Sequence, residues 1–423
     1  MALLLKILLA ALPAVVAGLP PTATVKNGTY EGKYVALYDQ DLFLGIPFAQ
    51  PPVGELRFQN PQSLNSTFGT RNATEYADSC VAWPYTLSED CLTLNIVRPA
   101  KSGQTKDDEL LPVGFFTHGG GWSMDYSANG VYNLSFIVEE SVKMGKPFIA
   151  ISADCQYVPP FTDWAIYANT SSRPNVFLGL HGQSRHPRRR AQAVVTSVIM
   201  PLPTAVVTTA SSGADGSHMK NLTEPQQIYD TIVGIVGCDG SSDKLACLRT
   251  VPFEKLNATI TEISGSFYPI VDGDIIPDLP SVLLDAGKFT KTPILLGTNA
   301  DEATMFAGTG VNTDEDIASL IQSSGLDANT TEILMALYPD IDSLGLPANY
   351  RVQPDGPVGK QFKRSVALLT DQMFLSWRRL RTDAWSKYGA PAYSYLFESP
   401  TSSSKPSPPQ SLTPSKRLTT GWS

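Results

Sequence analysis

Short runs of β-branched and aromatic residues, separated by turn signals, fill the first 155 residues of the chain. Runs of this kind predict strands. Two of them, Val113–Thr117 and Phe148–Ser152, are almost continuously apolar, as in strands that are buried on both faces. The predicted strands are Tyr34–Tyr38, Asp41–Phe48, Leu92–Val97, Val113–Thr117 and Pro147–Ala153.

Helical spacing of apolar residues appears between two of these strands, at Ser135–Met144, and returns after residue 220. Alternation of strands and helices predicts an α/β fold with a central, mostly parallel sheet flanked by helices. The other predicted elements are the helices Glu224–Gly237, Asp314–Ser323 and Gln361–Tyr388 and the strands Thr292–Gly297 and Pro391–Phe397.

Two stretches depart from this pattern. Residues 185–218 begin with a basic run and continue through 24 uncharged residues rich in Val, Thr and Ala. We interpret the basic run as a solvated loop, because the chain as a whole is acidic. Residues 399–423 hold eight Ser, four Thr and five Pro. That tail has too little apolar surface to fold, and we expect it to be disordered.

The amino-terminal residues predict secretion. A single lysine precedes the short apolar run Ile7–Ala17, which is typical of a signal peptide over residues 1–17 and is too short to span a membrane. No later segment predicts a membrane helix, and residues 18–398 are expected to form one domain. The net charge of −8 argues against nucleic acid or an anionic membrane as the main partner.

Asparagine usage agrees with a secreted protein. Eight of the fifteen asparagines stand in Asn-X-Ser/Thr, which is more than chance supplies, so glycosylation is expected at several of them. These asparagines are Asn27, Asn65, Asn72, Asn133, Asn169, Asn221, Asn257 and Asn329.

Four of the five cysteines form two pairs that are close in sequence, Cys80 with Cys91 and Cys238 with Cys247. In an oxidising compartment each pair can close a short loop. A zinc site is the alternative, but the pairs lack C-x₂-C spacing and no histidine cluster accompanies them. Cys155 is left over, and we expect a buried free thiol on a strand.

The strongest chemical signal is a run of three glycines at residues 119–121, between His118 and Trp122. It directly follows the predicted strand Val113–Thr117. Successive glycines allow several backbone N–H groups to point into one cavity, where they can stabilise the negative charge that develops on an ester carbonyl oxygen. A tight turn without function is the alternative. The flanking residues and the upstream strand favour an oxyanion loop.

Five ordered blocks of sequence resemble the type-B carboxylesterase/lipase family, which includes the cholinesterases and many fungal extracellular lipases. The resemblance covers about residues 25–150 and 220–398, and five blocks in order are a specific signal. The blocks are 43–58, 88–95, 118–122, 269–274 and 293–302.

This resemblance implies an α/β-hydrolase fold with a Ser–Glu–His triad in that chain order. Glu302 stands where the family has the acid that orients the histidine, in Asp-Glu-Ala-Thr instead of the usual Asp-Glu-Gly-Thr. Alone, it would be read as a surface carboxylate. The other implied roles are oxyanion donors for Gly120 and Gly121, disulfides Cys80–Cys91 and Cys238–Cys247, and a buried ion pair of Arg57 with Glu89.

The nucleophile position is degenerate. No intact Gly-X-Ser-X-Gly exists, and the nearest match is Gly182-Gln183-Ser184, followed by Arg185 and His186 where the family has Ala and Gly. Ser184 is therefore the candidate nucleophile, and an ordinary loop serine is the alternative.

The catalytic base is missing from its expected position. The family's histidine follows the strand that corresponds to Pro391–Phe397, but all four histidines of this chain precede Glu302. His181 and His186 flank Ser184 on one turn and are poorly placed to bridge it to Glu302. Without a base, catalysis would retain about 10³–10⁴-fold over water.

The sequence thus predicts a secreted serine hydrolase that acts on small-molecule esters or lipids, without cofactor or metal. One alternative is a non-catalytic binding module like the adhesion proteins of the family, and another is a chain that folds incompletely as written. Because both catalytic gaps fall in the atypical stretches, we hypothesise that residues 185–218 and 399–423 are read from a wrong frame or across introns. Genomic DNA in all three frames tests this: a Ser-Ala-Gly after Gln183 and an in-frame His codon near the carboxyl terminus are expected.

Overall fold

The structure is a computed structural model. It describes residues 19–59, 61–80, 88–100, 111–116, 118, 125–154, 192–195, 198–201, 206–208, 223–263, 271, 277–289, 291, 293–341 and 357–397. The predicted signal peptide, Cys155 and the predicted tail at 399–423 lie outside these residues.

Thirteen strands lie in the described ranges, and most of the predicted strands are among them. They are β1 (Thr22–Val25), β2 (Gly28–Glu31), β3 (Lys33–Val35), β4 (Gln40–Pro47), β5 (Thr70–Asn72), β6 (Thr93–Pro99), β7 (Val113–Phe116), β8 (Ile149–Ala153), β9 (Gln192–Val195), β10 (Val198–Pro201), β11 (Val206–Thr208), β12 (Ile294–Asn299) and β13 (Ala392–Phe397).

Nine α-helices are described as well. They are α1 (Ser135–Lys143), α2 (Thr223–Val236), α3 (Lys244–Thr250), α4 (Phe253–Glu262), α5 (Pro280–Asp285), α6 (Asp314–Ser323), α7 (Ala328–Leu337), α8 (Phe362–Thr370) and α9 (Ser376–Lys387). None of these helices is long and apolar enough to cross a membrane.

A five-stranded sheet with the order β3-β4-β6-β8-β7 forms the amino-terminal half of the fold. Its first four strands pair antiparallel, and only β7 and β8 run parallel. One face packs against the small sheet β1-β2-β5, through Tyr30 against Phe43 and Leu94, and the other face packs against α1, through Val138 against Leu42 and Val97. Burial on both faces explains the nearly continuous apolar run of β8. The same expectation is wrong for β7, which is the last strand of this sheet and is partly exposed along its length.

The carboxyl-terminal half contains a wholly parallel sheet with the order β11-β12-β13. The α/β class is therefore confirmed, with parallel pairing in this sheet and in the β7–β8 pair and antiparallel pairing elsewhere in the five-stranded sheet. The strand β11 lies within the atypical stretch 185–218, and the antiparallel hairpin β9–β10 lies there too.

Two predicted elements differ from the structure. The strand predicted at Tyr34–Tyr38 ends at Val35, since the chain turns there and Asp39 adopts a φ of 49°, which closes the hairpin into β4. The long helix predicted at Gln361–Tyr388 is confirmed as helical, but a π-helical segment at Asp371–Leu375 separates α8 from α9. Helices α3, α4, α5 and α7 and strands β1, β2 and β5 were not predicted.

Candidate active site

A buried polar network lies at the carboxyl ends of the parallel strands β7 and β8. His118 follows β7 closely, and Asp154 follows β8 directly. His118 Nε2 lies 4.0 Å from Asp154 Oδ1, and both side chains are buried. Because carboxyl ends of neighbouring parallel strands share one edge of a sheet, the strand order itself brings these two residues together.

Asp154 is held by hydrogen bonds from Ser127. The Ser127 N–H donates to Asp154 Oδ1 at 2.6 Å, and the Ser127 hydroxyl donates to Oδ2 at 2.9 Å. Burial raises the pKa of Asp154, whereas these two hydrogen bonds and nearby His118 lower it. The net direction is upward, so the interior opposes ionisation more strongly than its partners favour it.

Asn95 connects this network to the neighbouring strands. Its Nδ2 donates to the Ser127 hydroxyl at 2.9 Å and to the Ser152 hydroxyl at 3.3 Å, and its Oδ1 accepts from the Gly45 N–H at 2.9 Å. Gly45 sits at a bulge of β4 with a φ of 64°, and a Cβ there would lie 2.8 Å from the Glu75 carbonyl oxygen. Only glycine fits this position without strain.

Glu302 lies at the carboxyl end of β12, the central strand of the parallel sheet, where the chain enters a short 3₁₀ turn at Glu302–Met305. The Asn299 N–H donates to Glu302 Oε2 at 2.6 Å. Burial raises the pKa of Glu302, and the hydrogen bonds from Asn299 lower it. The carboxylate is half-buried.

The turn that carries Glu302 is anchored on both sides. Ala303, the residue that replaces the family's glycine, is fully buried and donates its N–H to Thr370 Oγ1 at 3.1 Å. On the other side, the Ala300 N–H donates to the Phe397 carbonyl oxygen at 3.0 Å, at the last residue of β13. Glu302 is thereby placed beside the point where the chain leaves β13.

Tyr395 lies close to this carboxylate. Its pKa is raised by burial first and then by the negative charge of Glu302. Its ring passes over Gly297, where a Cβ would overlap the ring at 1.8 Å. The glycine in β12 therefore makes room for an aromatic side chain next to Glu302.

The two expected disulfides and the expected ion pair are present in the structure. Cys80–Cys91 and Cys238–Cys247 are both bonded, with an S–S length of 1.99 Å in each. Arg57 Nε and Glu89 Oε1 are 2.6 Å apart, and the second contact, from Nη2 to Oε2, is 2.7 Å.

This ion pair also reaches the helical region. Arg57 Nη1 donates to the carbonyl oxygens of Leu248 at 3.1 Å, Arg249 at 3.2 Å and Val251 at 2.6 Å. The side chains of Arg57 and Glu89 are only 6% and 10% exposed. Charge-assisted bidentate pairing satisfies both groups inside the protein.

Other predicted site residues fall outside the described part of the chain. These are the candidate nucleophile Ser184, the oxyanion candidates Gly120 and Gly121, and the sequons at Asn169 and Asn221. Among the residues that are described, no group of three or more His, Cys, Asp and Glu is arranged to hold a metal ion.

Sequence reasoning missed Asp154, Ser127 and the role of Asn95. A signal for two of them exists in hindsight. Asn95 interrupts a buried apolar strand and is 3% exposed, and Asp154 ends another such strand and is 4% exposed. Buried polar side chains need partners, so polar residues in two neighbouring apolar runs point to a shared hydrogen-bond network.

Comparison with known proteins identifies the family. A carboxylesterase family model matches residues 20–143 and 192–419. Lipase 4 of Diutina rugosa is 30% identical, with 89% of this chain and 79% of the lipase aligned. The secreted triacylglycerol lipase LIP1 of Gibberella zeae is 28% identical, with 89% of this chain and 74% of the lipase aligned.

The fold is similar to that of a solved esterase. The crystal structure of Aspergillus niger EstA aligns with a TM-score of 0.69 and 20% identity, covering 89% of this chain and 77% of EstA. The match of the family model over most of the sequence, together with the 30% identity to Lipase 4, shows that the chain belongs to the carboxylesterase family, which has the α/β-hydrolase fold and consists mainly of carboxylic ester hydrolases.

Proposed function

We propose that this protein is a secreted serine esterase in which Ser184 is the nucleophile, the N–H groups of Gly120 and Gly121 hold the oxyanion, and Glu302 is the acid of the triad. The observation that carries the proposal is the position of Glu302. It stands half-buried at the carboxyl end of the central parallel strand, beside the last residue of β13.

The position of Glu302 suits an acid that orients a base. All of its hydrogen bonds to described residues come from Asn299, so the carboxylate keeps capacity for another donor. The neighbouring β13 ends at Phe397, and the resemblance implies a catalytic histidine in the residues that follow. A histidine there would meet Glu302 from the adjacent strand end, but the residues after Phe397 contain none in this sequence.

The residues that flank the glycine loop support its proposed role as the oxyanion site. The loop begins after His118, which lies 4.0 Å from Asp154, and Ser127, on the other side of the loop, donates to the same carboxylate. Amides that are fixed by such a framework need no rearrangement when charge develops on the substrate, which is what oxyanion stabilisation requires.

The proposed chemistry is an acyl transfer in two stages. Ser184 Oγ attacks the ester carbonyl carbon, the carbonyl electrons move to oxygen, and the Gly120 and Gly121 amides stabilise that charge. Collapse expels the alcohol, which takes the proton that the serine loses, and leaves an acyl-serine. Water then adds to the acyl carbon and releases the carboxylic acid.

The substrate class follows from the relatives. The relatives from Diutina rugosa and Gibberella zeae are a lipase and a secreted triacylglycerol lipase. We therefore propose esters of fatty acids, including acylglycerols, as substrates. Nitrophenyl esters of increasing acyl length, from acetate to palmitate, measure this preference. Faster turnover of the long esters supports a lipase, and a maximum at acetate or butyrate rejects it in favour of a short-chain esterase.

A second function has one specific observation in its favour. The sequence has no histidine between Glu302 and residue 423, so the expected base is absent from these positions. A family member with an intact sheet and no base is a binding module, comparable to the adhesion proteins of the family.

A fluorophosphonate probe separates the two functions. Labelling of the folded protein at Ser184, lost in Ser184→Ala, supports the esterase. Glu302→Gln is expected to slow labelling strongly, whereas Glu315→Gln, at an exposed position at the start of α6, is the matched control and leaves it unchanged. Folded protein that is not labelled rejects the esterase and supports the binding module.

We also propose that the mature protein is N-glycosylated on exposed asparagines. Asn65, Asn72, Asn133 and Asn329 are exposed, and Asn257 is partly buried on α4. Asn27 differs, because it is 8% exposed and its Nδ2 donates to the carbonyl oxygens of Leu64 at 3.0 Å and Ser66 at 3.1 Å. A glycan on that nitrogen would remove a donor and require space that the fold does not provide.

Enzymatic deglycosylation in heavy-oxygen water identifies the occupied sites by mass. We expect the label at several of the exposed sequons and none at Asn27. A fully occupied Asn27 in the secreted protein contradicts the proposed selection, and absence of label everywhere contradicts glycosylation.

A further inference from the structure

Both ends of the glycine loop meet at one buried carboxylate. His118, which precedes the loop residues 119–124, lies 4.0 Å from Asp154 Oδ1. Ser127, three residues after the loop, donates both its N–H and its hydroxyl to the same carboxylate, at 2.6 Å and 2.9 Å. Asp154 itself ends β8, the strand that pairs with the strand leading into the loop.

Rigid parts of the sheet support this carboxylate from behind. The Asp154 N–H donates to the Thr93 carbonyl oxygen at 3.0 Å, which fixes its backbone to β6. Asn95, two residues further along β6, donates to the Ser127 hydroxyl, and its other end accepts the Gly45 N–H from β4. Three strands of the sheet therefore determine where the segment after the loop begins.

The buried carboxylate of Asp154 is stabilised by hydrogen bonds from Ser127. A buried carboxylate is unfavourable unless its oxygens receive hydrogen bonds, and two donors from a single residue, Ser127, satisfy one oxygen each. The ionisable groups that act on it are His118, which favours the charged form, and Asp125, which opposes it. A neutral side chain would bind the Ser127 segment less tightly.

We propose that Asp154 is a positioning residue of the ester-hydrolysis reaction, which clamps His118 and Ser127 and thereby fixes the amides between them for the oxyanion. This inference rests on the proposed function for the role of Gly120 and Gly121. It adds a residue that acts through Ser127 and His118, and it predicts loss of turnover without loss of substrate binding.

The first measurement does not depend on catalysis. Hydrogen–deuterium exchange of peptides covering residues 118–127 is compared in the wild type, Asp154→Ala and Asp154→Asn. We expect exchange in this segment to rise at least about tenfold in Asp154→Ala, because the Ser127 amide loses its buried acceptor. Asp154→Asn keeps one acceptor oxygen and should restore part of the protection. Unchanged exchange in Asp154→Ala overturns the proposal.

The matched control is Asp41→Asn. Asp41 is a buried carboxylate of the same sheet, on β4, and it pairs with Arg98 at 3.0 Å, far along the strands from Asp154. Its loss should lower stability without changing exchange in residues 118–127. If both variants loosen that segment equally, Asp154 only stabilises the fold and the proposed clamp is rejected. Should Asp154→Ala fail to fold, Ser127→Ala and Asp154→Asn carry the same comparison.

The second measurement is turnover of nitrophenyl butyrate. Asp154→Ala is expected to lower kcat by about 10²–10³-fold, the effect of losing one oxyanion donor, with KM changed less than about threefold. A rise in KM with unchanged kcat overturns the positioning role. A wild type that neither turns over esters nor reacts with fluorophosphonate rejects the proposed function, and the exchange experiment then decides on the clamp by itself.

Discussion

The carboxyl edges of the two sheets each carry a buried acid, and the two acids are held very differently. Asp154, at the end of β8, has both carboxylate oxygens occupied by Ser127 and lies against His118. Glu302, at the end of β12, is half-buried and receives its hydrogen bonds from Asn299 alone among the described residues. Burial raises the pKa of both.

The difference separates a structural carboxylate from a reactive one. A carboxylate whose two oxygens both accept hydrogen bonds from buried donors has less capacity for a new partner, and its loss leaves those donors unpaired. A carboxylate with one local contact keeps that capacity, and its loss should barely affect folding. A third carboxylate, Glu89, is held more strongly than either, because its two oxygens bind the buried guanidinium of Arg57. The loss of unfolding free energy on disrupting each site should therefore be largest at Glu89, smaller at the Asp154 site and smallest at Glu302.

The largest expected effect is at Glu89. Glu89→Gln leaves the buried Arg57 guanidinium without a counter-charge, and we expect the free energy of unfolding to drop by about 3–5 kcal/mol. Urea unfolding followed by fluorescence measures it. The control is Glu75→Gln, which removes a surface pair with Lys33 at 3.8 Å and should change stability by less than about 1 kcal/mol. Equal losses of stability in the two variants would show that the buried pair of Glu89 with Arg57 contributes no more than a surface pair.

A smaller loss is expected in Ser127→Ala. The substitution removes one of the two donors to Asp154 and the acceptor of the Asn95 amide, which leaves buried polar atoms unsatisfied and lowers the free energy of unfolding by about 1–3 kcal/mol. The same urea titration applies. Ser323→Ala removes an exposed hydroxyl that donates to the Leu320 carbonyl oxygen and should be nearly neutral. A neutral Ser127→Ala would show that Asp154 does not depend on its donors.

The smallest effect concerns Glu302 and depends on pH. Its pKa is raised in the folded protein, so the folded state holds a proton more tightly than the unfolded chain, and stability falls as pH rises from the ordinary value of 4.5 through the raised one. Glu302→Gln lacks this loss. Relative to wild type, the variant should therefore become more stable as the pH rises from the ordinary pKa of 4.5 through the raised one. Urea titrations across that range measure the difference.

Asp316 provides a test of opposite sign. The N–H groups of Asn312 and Thr313 donate to its carboxylate and hold its pKa below the ordinary range. Its charge therefore stabilises the fold at neutral pH, and this contribution is lost as pH falls through the lowered pKa. Asp316→Asn should lose stability at neutral pH relative to wild type and regain parity in acid. If the stabilities of Glu302→Gln and Asp316→Asn, each relative to wild type, changed with pH in the same direction, the expected difference between the two carboxylates would be contradicted.

Much of the fold could be predicted from local patterns because its longer strands are rich in apolar, β-branched and aromatic residues. The apolar run of β8 coincides with a buried strand, whereas β7 and β13, at the edges of the described sheets, are partly exposed and were predicted from their aromatic and aliphatic residues. The short strands β1, β2 and β5 and the helices α3 and α4 escaped prediction. Their stability comes from tertiary packing, such as Phe58 against Leu248 and Leu256, which no short window of sequence contains.

The site was predicted unevenly for a similar reason. Glu302 was found because a block of sequence resembles a family, and its chemistry then followed. Asp154 and Ser127 were missed because their importance depends on the pairing of β8 with β7 and β6, which brings together residues 118, 127 and 154. A polar residue after a strand is common, and only the strand order shows that this one meets both ends of a loop.

The partners of Arg57 become available at very different times during synthesis of the chain. Its pairing with Glu89 spans 32 residues, whereas its carbonyl partners at Leu248 and Val251 lie 191 and 194 residues further along. At a synthesis rate of about 5–20 residues per second, those carbonyls emerge about 10–40 s after the arginine. The bond between Cys80 and Cys91 needs only eleven residues of separation and can close in that interval. Arg57 can therefore pair with Glu89 before the helix α3 and its end at Val251, which supply its carbonyl partners, have been synthesised.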